Sequence, residues 1–192
     1  MDMKGEHRIP ASRQAVWDAL NDPEVLKASI PGCESVEKIS DTEFTAKVKM
    51  SVGPVKTRFS GQVTLSDIDP PNGYTITGKG SGGAAGFGEG NAKVTLTEEG
   101  GETVLRYTAH ASVGGKLAQI GQRLIDATAK KMTNEFFTGF VDHLVETGIA
   151  VPAPEAVAVP EAAAGLSKTA QWAMIGAVAA AVVLALIWYV SG

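Results

Sequence analysis

The side chains that could do acid–base chemistry are few in this 192-residue chain, and they are widely separated. The three histidines are His7, His110 and His143, which we place on a strand, a strand and a helix. A catalytic base needs a nucleophile and an orienting partner within hydrogen-bond reach. Strand alternation puts His110 on the same face as Arg106 and away from Tyr107, so we interpret it as a solvated histidine.

Nucleophilic and metal chemistry have equally little support. The single cysteine, Cys33, follows Pro31-Gly32 at the start of a predicted strand without a recognisable base nearby, so we interpret it as a packing thiol. Ser12 is best explained as a helix cap. The histidine spacing gives no cluster of metal ligands, and one cysteine excludes an internal disulfide. We therefore expect a protein that is not an enzyme and has no covalently bound cofactor.

A glycine-rich segment is the one unusual feature of the central region. Seven glycines occur in the thirteen residues from Gly78 to Gly90. Glycine weakens strand pairing and marks bulges, strong bends or close backbone approach, so one interpretation is a sharply curved hairpin. The alternative is that the missing side chains leave an interior pocket. A phosphate cradle fits poorly, because no helix with a suitably placed lysine follows.

Composition excludes several functions. The net charge is −4 and basic residues are dispersed among acidic ones, so no nucleic-acid footprint is present. The length suits one domain with an appendage. We place the domain at residues 1–146. The N-terminus, MDMKGEHRIP, lacks the apolar run of a secretory signal, so we expect the domain to stay in the cytoplasm.

The elements that must position these residues follow from local patterns. Residues 1–9 alternate as a first strand, Ser12 can cap a helix through Leu20, and Asp22 with Pro23 favours a second short helix. From 33 to 113 the apolar period is two, with turn residues that mark six further strands. This order predicts an α+β domain in which a curved, seven-stranded antiparallel sheet wraps a C-terminal helix.

The long helix itself is predicted between Gly114 and Val145. A continuous apolar stripe, which needs a partner surface, is formed by Leu117, Ile120, Leu124, Met132, Phe136, Phe140 and Leu144. Any pocket between this helix and the sheet would have apolar and aromatic walls. The candidate ligand-binding residues are Trp17, Met50, Phe59, Tyr107, Leu117, Leu124, Met132, Phe136 and Phe140. Ordinary core packing is the alternative for each of them.

The C-terminal region has the composition of a spacer followed by a membrane anchor. Residues 147–167 are rich in Ala and Pro, which favours an extended, semi-rigid linker. Residues 172–190 contain no charge and would form a helix of about 28 Å, close to the thickness of the bilayer core. Aromatic residues stand at both ends of this run.

We therefore predict a single-pass transmembrane tail anchor at residues 168–192, with a buried core helix as the alternative. Lys168 precedes the span, and only Ser191 and Gly192 follow it. By the positive-inside rule the domain would lie at the cytoplasmic face of the inner membrane.

Four segments resemble a known family. They are DPEVLKASIPGCESVE (22–37), VGPVKTRFSGQV (52–63), PPNGYTITGKGSGGAAGFGEG (70–90) and VGGKLAQIGQRLI (113–125). In these motifs the chain is similar, over about residues 1–145, to the CoxG subunit of carbon monoxide dehydrogenase. The CoxG family belongs to the START-like, or SRPBCC, superfamily.

The resemblance implies a helix-grip fold with an apolar cavity between sheet and helix. It also implies binding of a lipophilic quinone, menaquinone or ubiquinone, and recruitment of a molybdenum hydroxylase of the carbon monoxide dehydrogenase type to the membrane. Tyr107 is then the best candidate to donate a hydrogen bond to a quinone carbonyl. Two alternatives stay open, namely a docking adaptor without ligand transfer and a lipid-binding or cyclase-like member of the superfamily. The resemblance carries no catalytic residue.

Overall fold

The computed structural model describes residues 1–150, and the order of their elements agrees with the prediction. The strands and helices are β1 (Asp2–Ile9), α1 (Arg13–Leu20), α2 (Pro23–Ser29), β2 (Cys33–Lys38), β3 (Glu43–Val52), β4 (Val55–Asp69), β5 (Gly73–Ser81), β6 (Phe87–Glu99), β7 (Glu102–Gly114) and α3 (Gln122–Glu146). The predicted α+β class is therefore confirmed. The predicted anchor and all but the first four residues of the predicted linker lie outside the described residues. Among residues 1–150, no helix is both long and apolar enough to span a bilayer.

All seven strands form one antiparallel sheet in the order β1-β7-β6-β5-β4-β3-β2. The strands β2 to β7 are consecutive neighbours joined by turns, as expected of a meander. The first strand closes the far edge by pairing with β7, with Gly5 opposite Tyr107. The helices α1 and α2 connect these two edges, and their apolar residues Val16, Leu20 and Val25 enter the core.

The two short helices begin as predicted. Ser12 accepts a hydrogen bond from the Ala15 N–H at 3.3 Å, and the Asp22 carboxylate accepts one from the Glu24 N–H at 2.8 Å. Pro23 occupies the first helical position of α2, where its missing N–H has no cost. Both caps satisfy donors that the first turn of a helix leaves unpaired.

The long helix begins later than predicted. Gly121 has φ +96°, a conformation that L side chains rarely adopt, and it separates α3 from a short 3-10 turn at Ala118–Ile120. The continuous stripe from Leu117 was therefore wrong, because Leu117 and Ile120 precede the break. The helix buries Phe140 and Leu144 as predicted, together with Ile125 and Phe137, which were not in the predicted stripe.

Two apolar clusters fill the interior of the domain. The main core joins α1, α2 and the C-terminal half of α3 to the sheet, and it includes Ile9, Leu96, Leu105 and Phe140. A smaller tip cluster lies near the β3–β4 turn, at residues 52–55. Its members are Val52, Leu117 and Ile125, with the half-buried Met50, Val55, Phe59, Val113 and Ile120 around them.

Candidate ligand-binding cavity

An apolar cavity of about 450 Å³ lies between the inner face of the sheet and the helices α2 and α3. Its volume falls in the range of about 300–1,000 Å³ that is common for small-molecule sites. The lining consists almost wholly of aliphatic and aromatic side chains, among them Met3, Leu26, Ile30, Val36, Phe44, Val63, Leu65, Ile76, Val94, Leu105, Met132 and Phe137. Such a surface favours a ligand with a largely apolar body.

Space for the cavity comes from small residues on the inner face of the sheet. The strands β3, β6 and β7 present Ala46, Ala92 and Ala109 at its wall, where larger side chains would fill it. Ala92 and Ala109 stand directly opposite each other in the β6–β7 register. The glycine-rich segment forms the predicted β5–β6 hairpin, but its glycines do not line this cavity.

Two tyrosines belong to the cavity wall. Neither the Tyr74 nor the Tyr107 hydroxyl forms a hydrogen bond with another described residue, so both can donate to a ligand. Burial raises the pKa of Tyr74, which keeps that hydroxyl protonated at physiological pH. The third polar wall residue, Thr133, already donates its hydroxyl to the Ala129 carbonyl at 2.9 Å.

The position of the Tyr107 ring depends on Gly5. A Cβ at Gly5 would lie 2.6 Å from Cε1 and 2.7 Å from the hydroxyl oxygen of Tyr107. Real Cβ contacts are essentially never this short, so any larger residue at position 5 would push the ring away. Glycine in the edge strand therefore places the tyrosine hydroxyl beside the inner face.

His7 was not among the predicted site residues, although it lies next to the cavity wall. Its imidazole stacks on Phe137 with ring centroids 3.7 Å apart and on Tyr107 at 6.2 Å. Burial lowers the pKa of His7, because desolvation penalises the charged imidazolium. Strand alternation could have found it, since Met3, His7 and the buried Ile9 share one face of β1.

Three of the nine predicted residues line the cavity, namely Tyr107, Met132 and Phe136. Trp17 does not; it packs edge-on against Tyr74, with ring centroids 5.3 Å apart. Phe140 is completely buried and stacks on Phe136 at 5.8 Å, so it supports the wall from behind.

The other four predicted residues lie near the tip cluster. Met50, Phe59 and Leu117 belong to that cluster and are absent from the cavity wall. The prediction for Leu124 was wrong, because its side chain is 48% exposed while its neighbour Ile125 is buried. Successive residues differ by about 100° around a helix, so within the uninterrupted α3 Leu124 lies about 160° around from Phe140, on the side away from the buried face.

Two large inner-face residues near the tip are only half-buried. In the main core the inward-facing Phe44, Leu65 and Leu105 are buried. On the tip half of the same sheet face, Met50 and Phe59 are only half-buried. Part of the Met50 and Phe59 side chains is therefore accessible to solvent, although Val52 beside the turn is buried.

The outer face of the sheet is polar. His110 lies there as predicted, 2.7 Å from the Asp2 carboxylate. Two depressions of about 540 and 480 Å³ also lie on this face, but they are lined by exposed polar side chains such as Gln62, Lys79 and Glu89. The inner cavity is the better ligand site, because it combines apolar walls with few polar groups.

Cys33 is half-buried at the start of β2. Its thiol lies 3.5 Å from the Ser35 carbonyl, and burial raises its pKa. A raised pKa keeps the thiol protonated and unreactive. Within residues 1–150, no group of three or more His, Cys, Asp or Glu residues could hold a metal ion.

Comparison with solved structures supports the fold. A conserved protein from Geobacillus kaustophilus is 31% identical, with a TM-score of 0.71 over 77% of this chain and 97% of that one. A START superfamily protein from Mycobacterium smegmatis matches at 8% identity and TM-score 0.60, over 76% and 98% of the two chains. The Zhui aromatase/cyclase from Streptomyces sp. R1128 matches at 15% identity with a TM-score of 0.55. The match covers 79% of this chain and 99% of that one. These last two likenesses concern the fold alone.

No curated protein matches the chain closely enough to count as a relative. The sequence model of one family does match, and it covers residues 5–145, from the first strand to the end of the long helix. That range contains every residue of the cavity wall except Met3. The chain therefore belongs to the family of the carbon monoxide dehydrogenase CoxG subunit, and it has the START-like fold.

Proposed function

We propose that the cavity binds a lipophilic quinone, either menaquinone or ubiquinone, and that the chain is a binding protein rather than an enzyme. One observation carries the proposal. The cavity has an almost wholly apolar wall that includes two tyrosines, and neither tyrosine hydroxyl has a partner among the described residues. A quinone matches this pattern, because its ring and isoprenoid chain are apolar and its carbonyl oxygens accept hydrogen bonds.

Most of the binding free energy would come from contact between the ligand and the apolar cavity wall. Apolar burial contributes about 25 cal/mol for each Å² removed from water, so a ring enclosed by Phe44, Phe136 and Phe137 gains most of its affinity there. A hydrogen bond from Tyr107 or Tyr74 adds about 0.5–1.5 kcal/mol and fixes the orientation of the ring.

We further propose that the chain recruits a molybdenum hydroxylase of the carbon monoxide dehydrogenase type and links it to the quinone pool. The family match supports the choice of partner. The uncharged run at residues 172–190 supports a tail anchor that holds the domain at the cytoplasmic face of the inner membrane. A tethered carrier would then meet its ligand beside the bilayer.

Lipid extraction tests the binding proposal. We expect the full chain, purified in mild detergent, to release close to one quinone per molecule in mass spectrometry. A chain that consistently releases no apolar molecule and still brings the hydroxylase to the membrane would be a docking adaptor without ligand transfer. Release of a different apolar molecule that the chain converts would instead favour a cyclase-like activity.

Recruitment has its own test. We expect the hydroxylase to appear in the membrane fraction of cells that express the full chain and to leave it when residues 168–192 are deleted. If this deletion leaves the distribution of the hydroxylase unchanged, the anchor does not recruit it.

A further inference from the structure

Basic residues cluster at the end of the domain that contains the β3–β4 turn. Lys49 and Arg58 stand directly opposite each other on the outer face of this hairpin, and Lys56 lies two residue pairs closer to the turn on the same face. Like charges opposite each other on an antiparallel pair repel. Arg58 pairs with Glu34 at 2.8 Å, but neither Lys49 nor Lys56 forms an ion pair within residues 1–150.

An exposed apolar surface lies beside these cations. The 48% exposed Leu124 reaches the turn, since a Cβ at Gly53 would lie 3.7 Å from its Cδ1 and 3.3 Å from Cγ2 of Ile120. Pro54 is exposed at the turn itself, and Arg123 is exposed next to Leu124 in the chain. We call the set Lys49, Pro54, Lys56, Arg123 and Leu124 the basic tip.

The opposite end of the sheet is acidic. The ends of β4 and β6 carry exposed carboxylates at Asp67, Asp69 and Glu98, and Glu99 beside them is paired with Arg8 and Arg106. An exposed apolar residue occurs there as well, Ile68 at 40%, but it lies between two of these carboxylates. An anionic surface would therefore attract the basic tip and repel the other end.

We propose that the basic tip docks on the anionic headgroups of a phospholipid bilayer, with Leu124 and Pro54 entering the interfacial region. This inference rests on the proposed function, since a quinone carrier must meet the bilayer that holds its ligand. Cations around a small apolar surface are the combination that binds anionic bilayers, because charge and burial act together. Of two nearby carboxylates, Glu34 is paired with Arg58, whereas Asp126 accepts a hydrogen bond from the neutral Gln122 and keeps its charge.

Docking at the tip also brings two half-buried residues of the inner face close to the bilayer. Met50 and Phe59, the half-buried residues of the inner face, belong to the tip cluster directly behind the β3–β4 turn. The 25-residue α3 starts at the tip, and its far end is about 37 Å away. The extended linker predicted at 147–167 would reach about 60 Å, which is enough for this orientation.

A fluorescent label on the full chain tests the proposal. Leu124→Cys in a Cys33→Ala background receives an environment-sensitive dye, and the protein is inserted into phosphatidylcholine vesicles with or without about 30% phosphatidylglycerol. We expect blue-shifted emission only with phosphatidylglycerol, and its loss at about 0.5 M salt. Each of Lys49→Gln, Lys56→Gln and Arg123→Gln should shift the docked-to-undocked ratio about fivefold toward undocked.

The matched control is the same dye at Ile68→Cys, which should report water in both kinds of vesicle; Pro54→Cys should repeat the Leu124 result. Emission that stays aqueous at position 124, while lipid extraction still yields a quinone, would overturn the docking and leave the binding proposal intact. A shift that appears only when the hydroxylase is added would also overturn it, in favour of a protein partner.

Discussion

The imidazole of His7 stacks on the ring of Phe137, with centroids 3.7 Å apart and planes 17° from parallel. This contact joins the edge strand β1 to the long helix beside the cavity wall, since Phe137 lines the cavity and His7 faces Tyr107. The packing of the cavity wall at Phe137 therefore involves a titratable side chain.

Stability should fall in mild acid because of this stack. Burial lowers the pKa of His7 from its ordinary value of 6.5, so the unfolded chain binds the proton more tightly than the folded one. The contribution of neutral His7 to the free energy of unfolding is fully present above pH 6.5. It is lost as the pH falls through the lower pKa of the folded state. Urea unfolding from about pH 7.5 to 5 should show this loss in the wild type and a smaller one in His7→Phe, which keeps an aromatic stack. Identical pH profiles for the wild type and His7→Phe would show that His7 does not cause the loss of stability.

Removal of the Tyr107 hydroxyl should weaken quinone binding without unfolding the domain. Tyr107→Phe keeps the ring over Gly5 and deletes only the donor, so affinity for a short-chain quinone should fall about 2- to 10-fold. Tyr74→Phe is the matched variant, because its hydroxyl is the other cavity donor. If calorimetry finds both variants equal to the wild type, neither tyrosine contacts the ligand.

Phe140 and Phe136 should differ in their effects on stability. Phe140 is completely buried, so Phe140→Ala should lower the free energy of unfolding by about 3–5 kcal/mol. Phe136 already borders empty volume and is half-buried, so Phe136→Ala should lower it less. Denaturant unfolding of both variants without ligand measures the difference, and equal losses would mean that the cavity is filled in solution.

The orientation of the first turns of α3 can be tested with two neighbours. Ile125→Ala should cost about 2 kcal/mol or more, since Ile125 is buried in the tip cluster. Leu124→Ala should change stability by less than about 0.5 kcal/mol. If Leu124→Ala cost more stability than Ile125→Ala, then Leu124 rather than Ile125 would face the interior, as the sequence predicted.

Most of the fold was predictable because local signals were strong. Ser12, Asp22 and Pro23 are cap residues whose role depends on the adjacent backbone alone, and all act as predicted. Period-two alternation likewise identified all seven strands. These signals need no knowledge of distant contacts.

The cavity wall was less predictable because it depends on which residues meet across the sheet. Large apolar residues look alike in sequence, so Phe140 in the packed core and Phe136 at the wall could not be separated. The space itself comes from Ala46, Ala92 and Ala109, which lie far apart in the chain and reach one wall only in the folded sheet. At Leu124 the error lay in the helical phase, since about 100° per residue places Leu124 on the side of α3 away from Phe140.

Quinone affinity in a pair of phenylalanine variants tests the central claim most directly. Ala109→Phe places a ring in the cavity, whereas Thr108→Phe places the same ring on the exposed outer face of the same strand. We expect calorimetry with a short-chain quinone to show more than about tenfold weaker binding for Ala109→Phe and wild-type binding for Thr108→Phe. Wild-type affinity in a folded Ala109→Phe variant would contradict the account, because the ligand would then bind elsewhere.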